Sequence, residues 1–177
     1  MIATAIPAGF AAGFFGIGGG LVTVPILFYI FNTSGIEPTY VMHLAVGTSF
    51  GIIIPTSTVS VLTHHQHKAV DFNIVKGFGF FVATGVILGT VFAASLETKP
   101  LILFFTIVVY ILAFYLLFLK ERETSIEIKM GLLSKAVSGI ISGFISAPMG
   151  IGGAVMNVPI LKFFGYPINK AIGSAAA

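Results

Sequence analysis

The chain of 177 residues has no cysteine, which excludes disulfides, thiolate chemistry and cysteine-based metal sites. Charge is nearly as scarce. Six acidic and nine basic residues make up 8% of the chain, against about 25% in an average soluble domain. No Lys or Arg precedes Lys68, and Asp71 is the only acid between Glu37 and Glu97. A cleaved secretory signal needs a basic start, so the opening apolar block reads as a retained membrane segment. Nine dispersed cations are too few for a nucleic-acid surface, despite the net charge of +3, so no nucleic-acid partner is expected. The apolar blocks contain no Asp or Glu and offer no nucleophile–base–orienter trio, which argues against a membrane enzyme.

What remains is 56% hydrophobic and runs in long continuous blocks. A soluble domain of this size has no interior large enough for that much apolar surface. Only helices and closed barrels span a bilayer. The blocks are not ten-residue alternating segments, so the expectation is an all-α, polytopic transmembrane bundle in contact with the lipid bilayer.

Two stretches organise the chain. Gly16-Ile17-Gly18-Gly19-Gly20-Leu21-Val22-Thr23-Val24-Pro25-Ile26-Leu27 recurs as Gly150-Ile151-Gly152-Gly153-Ala154-Val155-Met156-Asn157-Val158-Pro159-Ile160-Leu161, with eight of twelve positions identical. Each copy follows a Gly-x-x-x-Gly pair, Gly9/Gly13 and Gly139/Gly143. Glycine costs a helix interior about 1 kcal/mol per residue relative to alanine, so a run of glycines inside an apolar segment predicts a break. In a membrane such breaks survive only against protein or a wet cavity, and matched breaks in two halves point to a transporter site.

In chain order, Ile2 to Phe31 reads as a first, broken segment. Tyr40 to Leu62 reads as a polar helix kinked at Pro55 and buried in the bundle. Phe72 to Ala94 reads as a third span, with Gly85/Gly89 spaced for close helix contact, and Asp71 as its N-cap. Leu101 to Leu119 lacks Gly and Pro and is the best lipid-facing candidate. The charged run Lys120–Lys129 reads as a linker. Leu132 to Phe164 repeats the broken opening, and Ile168 onward starts another span, with Ala171-Ile172-Gly173-Ser174 echoing Ala45-Val46-Gly47-Thr48. The expected organisation is a first repeat over 1–120, a cytoplasmic linker over 121–131, and the start of a second repeat over 132–177. By repeat logic roughly 70–80 residues of the second half are unmatched. The chain therefore reads as a shortened version of a longer protein, or as one needing a completing chain; a homo-oligomer is a further option.

If each first-half segment crosses once, Lys68, Lys76, Lys120, Arg122, Lys129 and Lys135 share one side and Lys99, Lys162 and Lys170 the other. The richer side is cytoplasmic. The amino terminus then lies in the cytoplasm and the halves run parallel, unless a glycine segment is a re-entrant hairpin.

Candidate substrate contacts follow from the breaks. Half-helices starting near Leu21 and Ala154 would offer unpaired N–H groups and partial positive charge to an anion, which nominates Gly16, Gly18, Gly19, Gly20, Gly150, Gly152 and Gly153. Tight packing through small residues is the plainer reading. Pro25 and Pro159 shape a cavity wall or are first-turn prolines. Thr23, Thr48, Ser49 and Asn157 contact substrate oxygens or bond to helix carbonyls and across helices. His43 couples proton to anion movement, or is a satisfied interfacial histidine. His64, His65 and His67 lack a carboxylate or cysteine set at metal-ligand spacing and share a loop with Lys68, so no metal and no cofactor is expected.

The doubled Gly-x-Gly-Gly-(Gly/Ala)-x-x-x-x-Pro-x-Leu motif resembles the TauE/SafE family of sulfite-exporter-type permeases. Ala45-Val46-Gly47-Thr48-Ser49 and the loop around His64, His65 and Val70-Asp71 resemble that family's pattern as well. The resemblance implies a multi-pass inner-membrane permease for small anions such as sulfite or organosulfonates, usually of about eight spans in two related halves. The alternative is a non-transporting accessory module or an inactive half-length fragment.

Overall fold

The computed structural model describes residues 19–118 and 130–176, all helix, turn and loop, with no strand among them. Among the described residues seven helices follow one another: α1 (Gly20–Thr33), α2 (Val41–Gln66), α3 (Phe72–Ser95), α4 (Thr98–Phe118), α5 (Leu132–Met149), α6 (Ala154–Phe163) and α7 (Ile168–Ala176). α2, α3, α4 and α5 are long and apolar enough to cross a membrane. The protein is a multi-pass membrane protein.

Local chemistry sets the helix ends. Asp71 precedes α3 with extended backbone and accepts a bond from the Asn73 N–H at 3.0 Å, the N-cap its side chain favours. The Asp71 N–H in turn donates to Ser174 Oγ of α7 at 2.9 Å. Inside α2, Pro55 removes one donor, and nearby hydroxyls bond to carbonyls of the same helix: Thr56 to Ile52 and Ile53, Thr58 to Ile54. α4 presents Leu103, Ile107, Tyr110, Phe114 and Leu117 outward. α2 departs from expectation. Its first third is buried at Val41, Met42, Ala45, Val46 and Ser49, but Ile54, Val59 and Leu62 further on are well exposed.

The closest packing joins α3 and α5. A side chain at Gly89 would meet the Phe144 carbonyl at 2.5 Å, and one at Gly139 would meet Phe81 Cβ at 2.8 Å. Gly85 lies on the Ile140 backbone and Gly143 on the Val82 carbonyl, still closer. The Gly85/Gly89 pair and the Gly139/Gly143 pair thus face each other, letting two parallel backbones approach as small-residue motifs do in membranes.

The direction of α6 corrects the expected topology. α5 ends at Gly150, a left-handed cap with φ +61° that a residue with a Cβ adopts only at a cost. The chain then turns back. Ser142, eight residues before that cap, bonds to Asn157, seven after it. Leu161 near the end of α6 clusters with Met130 before α5, with Ile74 near the start of α3, and with Ala171. The second glycine segment is therefore a re-entrant hairpin. α6 returns to the end where α5 began, while α1 runs from the break toward the opposite end, where Phe31 packs beside Leu96 and Leu101. α1 and α6, the helices that follow the two glycine segments, thus run in opposite directions, and the expected parallel arrangement fails with its premise. Lys162 and Lys170 join Lys68, Lys76 and Lys135 at one end; Lys99 lies at the other, with Glu37 and Glu97. The amino-terminal residues on which the expected cytoplasmic N-terminus depends lie outside the described residues.

Candidate functional site

The two motif copies begin their second helices at equivalent residues. Gly19 caps α1 and Gly153 caps α6, both with helical backbone and no side-chain cap. The first main-chain bonds are matched as well: Thr23 N–H to the Gly19 carbonyl at 2.9 Å and Asn157 N–H to the Gly153 carbonyl at 2.8 Å. N–H groups in the first turn of a helix have no partner within it.

These two helix starts come together. A Cβ at Gly20 would lie 2.6 Å from Ile151 Cα and nearer still to the Gly150 carbonyl, so only glycine lets α1 start against the second break. Leu21 packs into the cluster of Met149, Ile151 and Val155. The same cluster takes in Phe104, Phe105, Val108 and Leu112 of α4, about 9–21 Å along that helix from Thr98. The junction is thus inside the bundle.

Neutral polar groups surround it. Ser49, fully buried, donates to the Gly150 carbonyl at 2.7 Å. Ser142 donates to Asn157 Oδ1 at 2.5 Å, both side chains buried. Ser146, one turn before the break, is 3% exposed, and its hydroxyl has no partner among the described residues. Acids are absent from the described helix interiors: Glu37 and Glu97 are in connections and Asp71 is a cap. Two positive helix ends therefore meet here beside the carboxyl-terminal end of α5, with no carboxylate among the described residues at the junction.

Of the nominated residues, Gly19, Gly20, Gly150, Gly152, Gly153, Ser49 and Asn157 lie at or beside the junction; Gly16 and Gly18 lie outside the described residues. Thr23 is half-buried and spends its hydroxyl on the Gly19 carbonyl at 2.7 Å. Thr48 is exposed on α2. Neither proline is a first-turn residue: Pro25 and Pro159 are each the sixth residue of their helix. Pro25 is exposed, and Pro159 lines an apolar cavity of about 480 Å³ between α4, α5 and α6, away from the polar groups. His43 lies one turn from Val46, which touches Gly150. Ser142 and Ser146 were missed by sequence reasoning. Their signal was present in the four-residue spacing Ser138-Ser142-Ser146, which puts them on one stripe of α5 beside the Gly139/Gly143 stripe.

Comparison with known proteins agrees with this architecture. The profile of the sulfite exporter TauE/SafE family matches residues 1–177. A probable membrane transporter protein of Haemophilus influenzae is 34% identical over 170 residues, covering 96% of this chain and 64% of the relative. One from Methanocaldococcus jannaschii is 28% identical over 171 residues, covering 93% and 61%. The Bacillus subtilis probable membrane transporter protein YunE is 23% identical over 196 residues, covering 99% and 71%. The chain spans a little under two thirds of the length of the first two relatives. No solved structure matches. The chain belongs to the sulfite exporter TauE/SafE family, whose members are membrane transporters and not enzymes.

Proposed function

We propose that the chain forms the anion-binding part of a secondary permease for small oxyanions, of which sulfite and organosulfonates are the leading candidates. The carrying observation is the convergence of the α1 and α6 starts inside the bundle with no acid nearby among the described residues. Unpaired N–H groups and the partial positive charge of helix ends suit an oxyanion. Neutral hydroxyls and an amide add orientation without a buried cation to desolvate. The Gly150 and Gly153 segment and Asn157 contribute from the second repeat, Gly19 and Gly20 from the first, and Ser146 supplies an unspent hydroxyl. Repeats of opposite direction flank the site, the arrangement by which one half rocks against the other in alternating access. The lysine-rich end faces the cytoplasm of an inner membrane by the positive-inside rule, and transport is driven by an ion or substrate gradient.

The test is flux into proteoliposomes carrying the complete protein, with sulfite, sulfoacetate, taurine and sulfate compared. Saturable flux of at least one sulfur oxyanion, lost in the folded Gly19→Leu plus Gly153→Leu variant, supports the reading. Absence of flux for all four from a folded, correctly inserted protein overturns it for these substrates.

A further inference from the structure

We propose that His43 is a proton-binding site coupled to the anion site, so that one proton moves with the anion; this rests on the permease reading above. His43 sits two residues into α2, on the lysine-poor side of the junction. Its Nε2–H donates to the Ala93 carbonyl of α3 at 3.2 Å. A carbonyl only accepts, so the proton of the neutral ring is on Nε2 and Nδ1 carries a bare lone pair. That Nδ1 is buried and has no partner among the described residues. A polar atom buried without a partner is unusual and calls for an explanation.

The surroundings supply one. His43 lines a cavity of about 170 Å³ between α2, α3, α4 and α5, with Thr90, Ala93, Leu101 and Ala147 among its walls. Two of those walls belong to the break: Val46 touches Gly150, and the Ala147 carbonyl accepts the Gly150 N–H at 3.1 Å. The cavity thus lies on the lysine-poor side of the bundle, separated from the backbone of the anion junction by its own walls Val46 and Ala147. No other titratable group lines it. Glu97 and Lys99, between α3 and α4, are both exposed; Lys76 on α3, Tyr110 and Tyr115 on α4, Lys135 on α5, and His64 and His65 on α2 lie toward the other end. Histidine is the side chain that changes charge near neutral pH; here the first turn of α2, a positive helix end, opposes its charge, and the last turn of α3, where Ala93 lies, favours it.

The step is a simple proton gain. A proton delivered as hydronium is taken up by Nδ1, water leaves, and the Nε2–H stays on Ala93. The resulting cation lies about 10 Å from the junction, one helical turn plus a van der Waals contact. At an effective dielectric of about 20, a charge at that distance strengthens anion binding roughly tenfold. By reciprocity the anion strengthens proton binding by the same factor.

Two measurements on the complete protein test this. In histidine-15N-labelled protein in nanodiscs, with the His43 signals assigned by their loss in His43→Gln, the expected spectrum shows a proton on Nε2 alone at alkaline pH. A second proton appears on Nδ1 on acidification. Absence of the second proton while the protein stays folded overturns the proposal. In proteoliposomes, His43→Gln keeps a donor for Ala93 but binds no proton. Its anion binding is expected to lose the strengthening that wild type gains on acidification, while flux driven by a pH gradient falls at least about fivefold, the low end of typical site-to-site coupling. Gradient-driven flux equal to wild type overturns the proposal. Nδ1 protonation with no flux of any tested anion supports the proton site and refutes the anion reading instead.

Discussion

The α3–α5 crossing predicts opposite outcomes for one substitution made at two places. At Gly143 a methyl group would run into the Val82 carbonyl, with Val86 N at 2.7 Å and the Gly85 carbonyl carbon at 3.0 Å. Those are backbone atoms and cannot rotate away, so the helices must separate. Overpacking costs about 1–3 kcal/mol, and a backbone obstacle puts this case near about 3. Alanine returns about 1 kcal/mol of helix propensity, leaving Gly143→Ala about 2 kcal/mol less stable. At Gly79, on α3, a methyl group meets nothing within 4 Å. Gly79→Ala should therefore gain up to about 1 kcal/mol. The assay is reversible unfolding in mixed micelles with increasing SDS, monitored by far-UV circular dichroism. Because Gly85 faces Gly143, Gly85→Ala added to Gly143→Ala should cost less than it does alone, since the gap is already open. Equal signs for Gly143→Ala and Gly79→Ala would refute the close-packed crossing.

Other consequences are checked in the same assay. Ser49→Ala strands the Gly150 carbonyl in the core and should cost about 1–3 kcal/mol, whereas exposed Thr48→Ala should change stability by less than about 0.5 kcal/mol; equal effects would contradict the Ser49–Gly150 bond. Asp71→Ala removes the α3 cap and should cost about 1 kcal/mol, while Asp71→Asn, an equally good cap, should be close to neutral.

Much of this was legible in the sequence because the signals are local. Scarce charge and long apolar blocks announce the membrane. The doubled glycine run marks the break, the Gly85/Gly89 spacing marks close helix contact, and Asp71 before Phe72 marks a cap. The direction taken after the break was not legible. Hydropathy sums residues along the chain and scores a helix that crosses the same as two that turn back. The turn depends on the left-handed conformation of Gly150 alone among four clustered glycine and isoleucine positions. The roles of Thr23 and Ser49 were undecided for a related reason. A hydroxyl in an apolar helix serves a ligand or a carbonyl equally well, and only the fold shows that Thr23 answers Gly19 and Ser49 answers Gly150. Of the two readings of Pro25 and Pro159, the first-turn one fails because the helices start at Gly20 and Ala154, close to the expected Leu21 and Ala154, which leaves each proline sixth in its helix.

The central claim is that an oxyanion binds where the two helix starts meet. The most direct measurement is equilibrium binding of radiolabelled sulfite to the complete protein in nanodiscs, wild type beside Asn157→Asp. That substitution keeps the shape of a side chain in the first turns of α6, bonded to Ser142, and adds a negative charge at the proposed site. The account predicts saturable binding at one site per chain, weakened at least about tenfold by the added like charge. Saturable binding that Asn157→Asp leaves unchanged would contradict it.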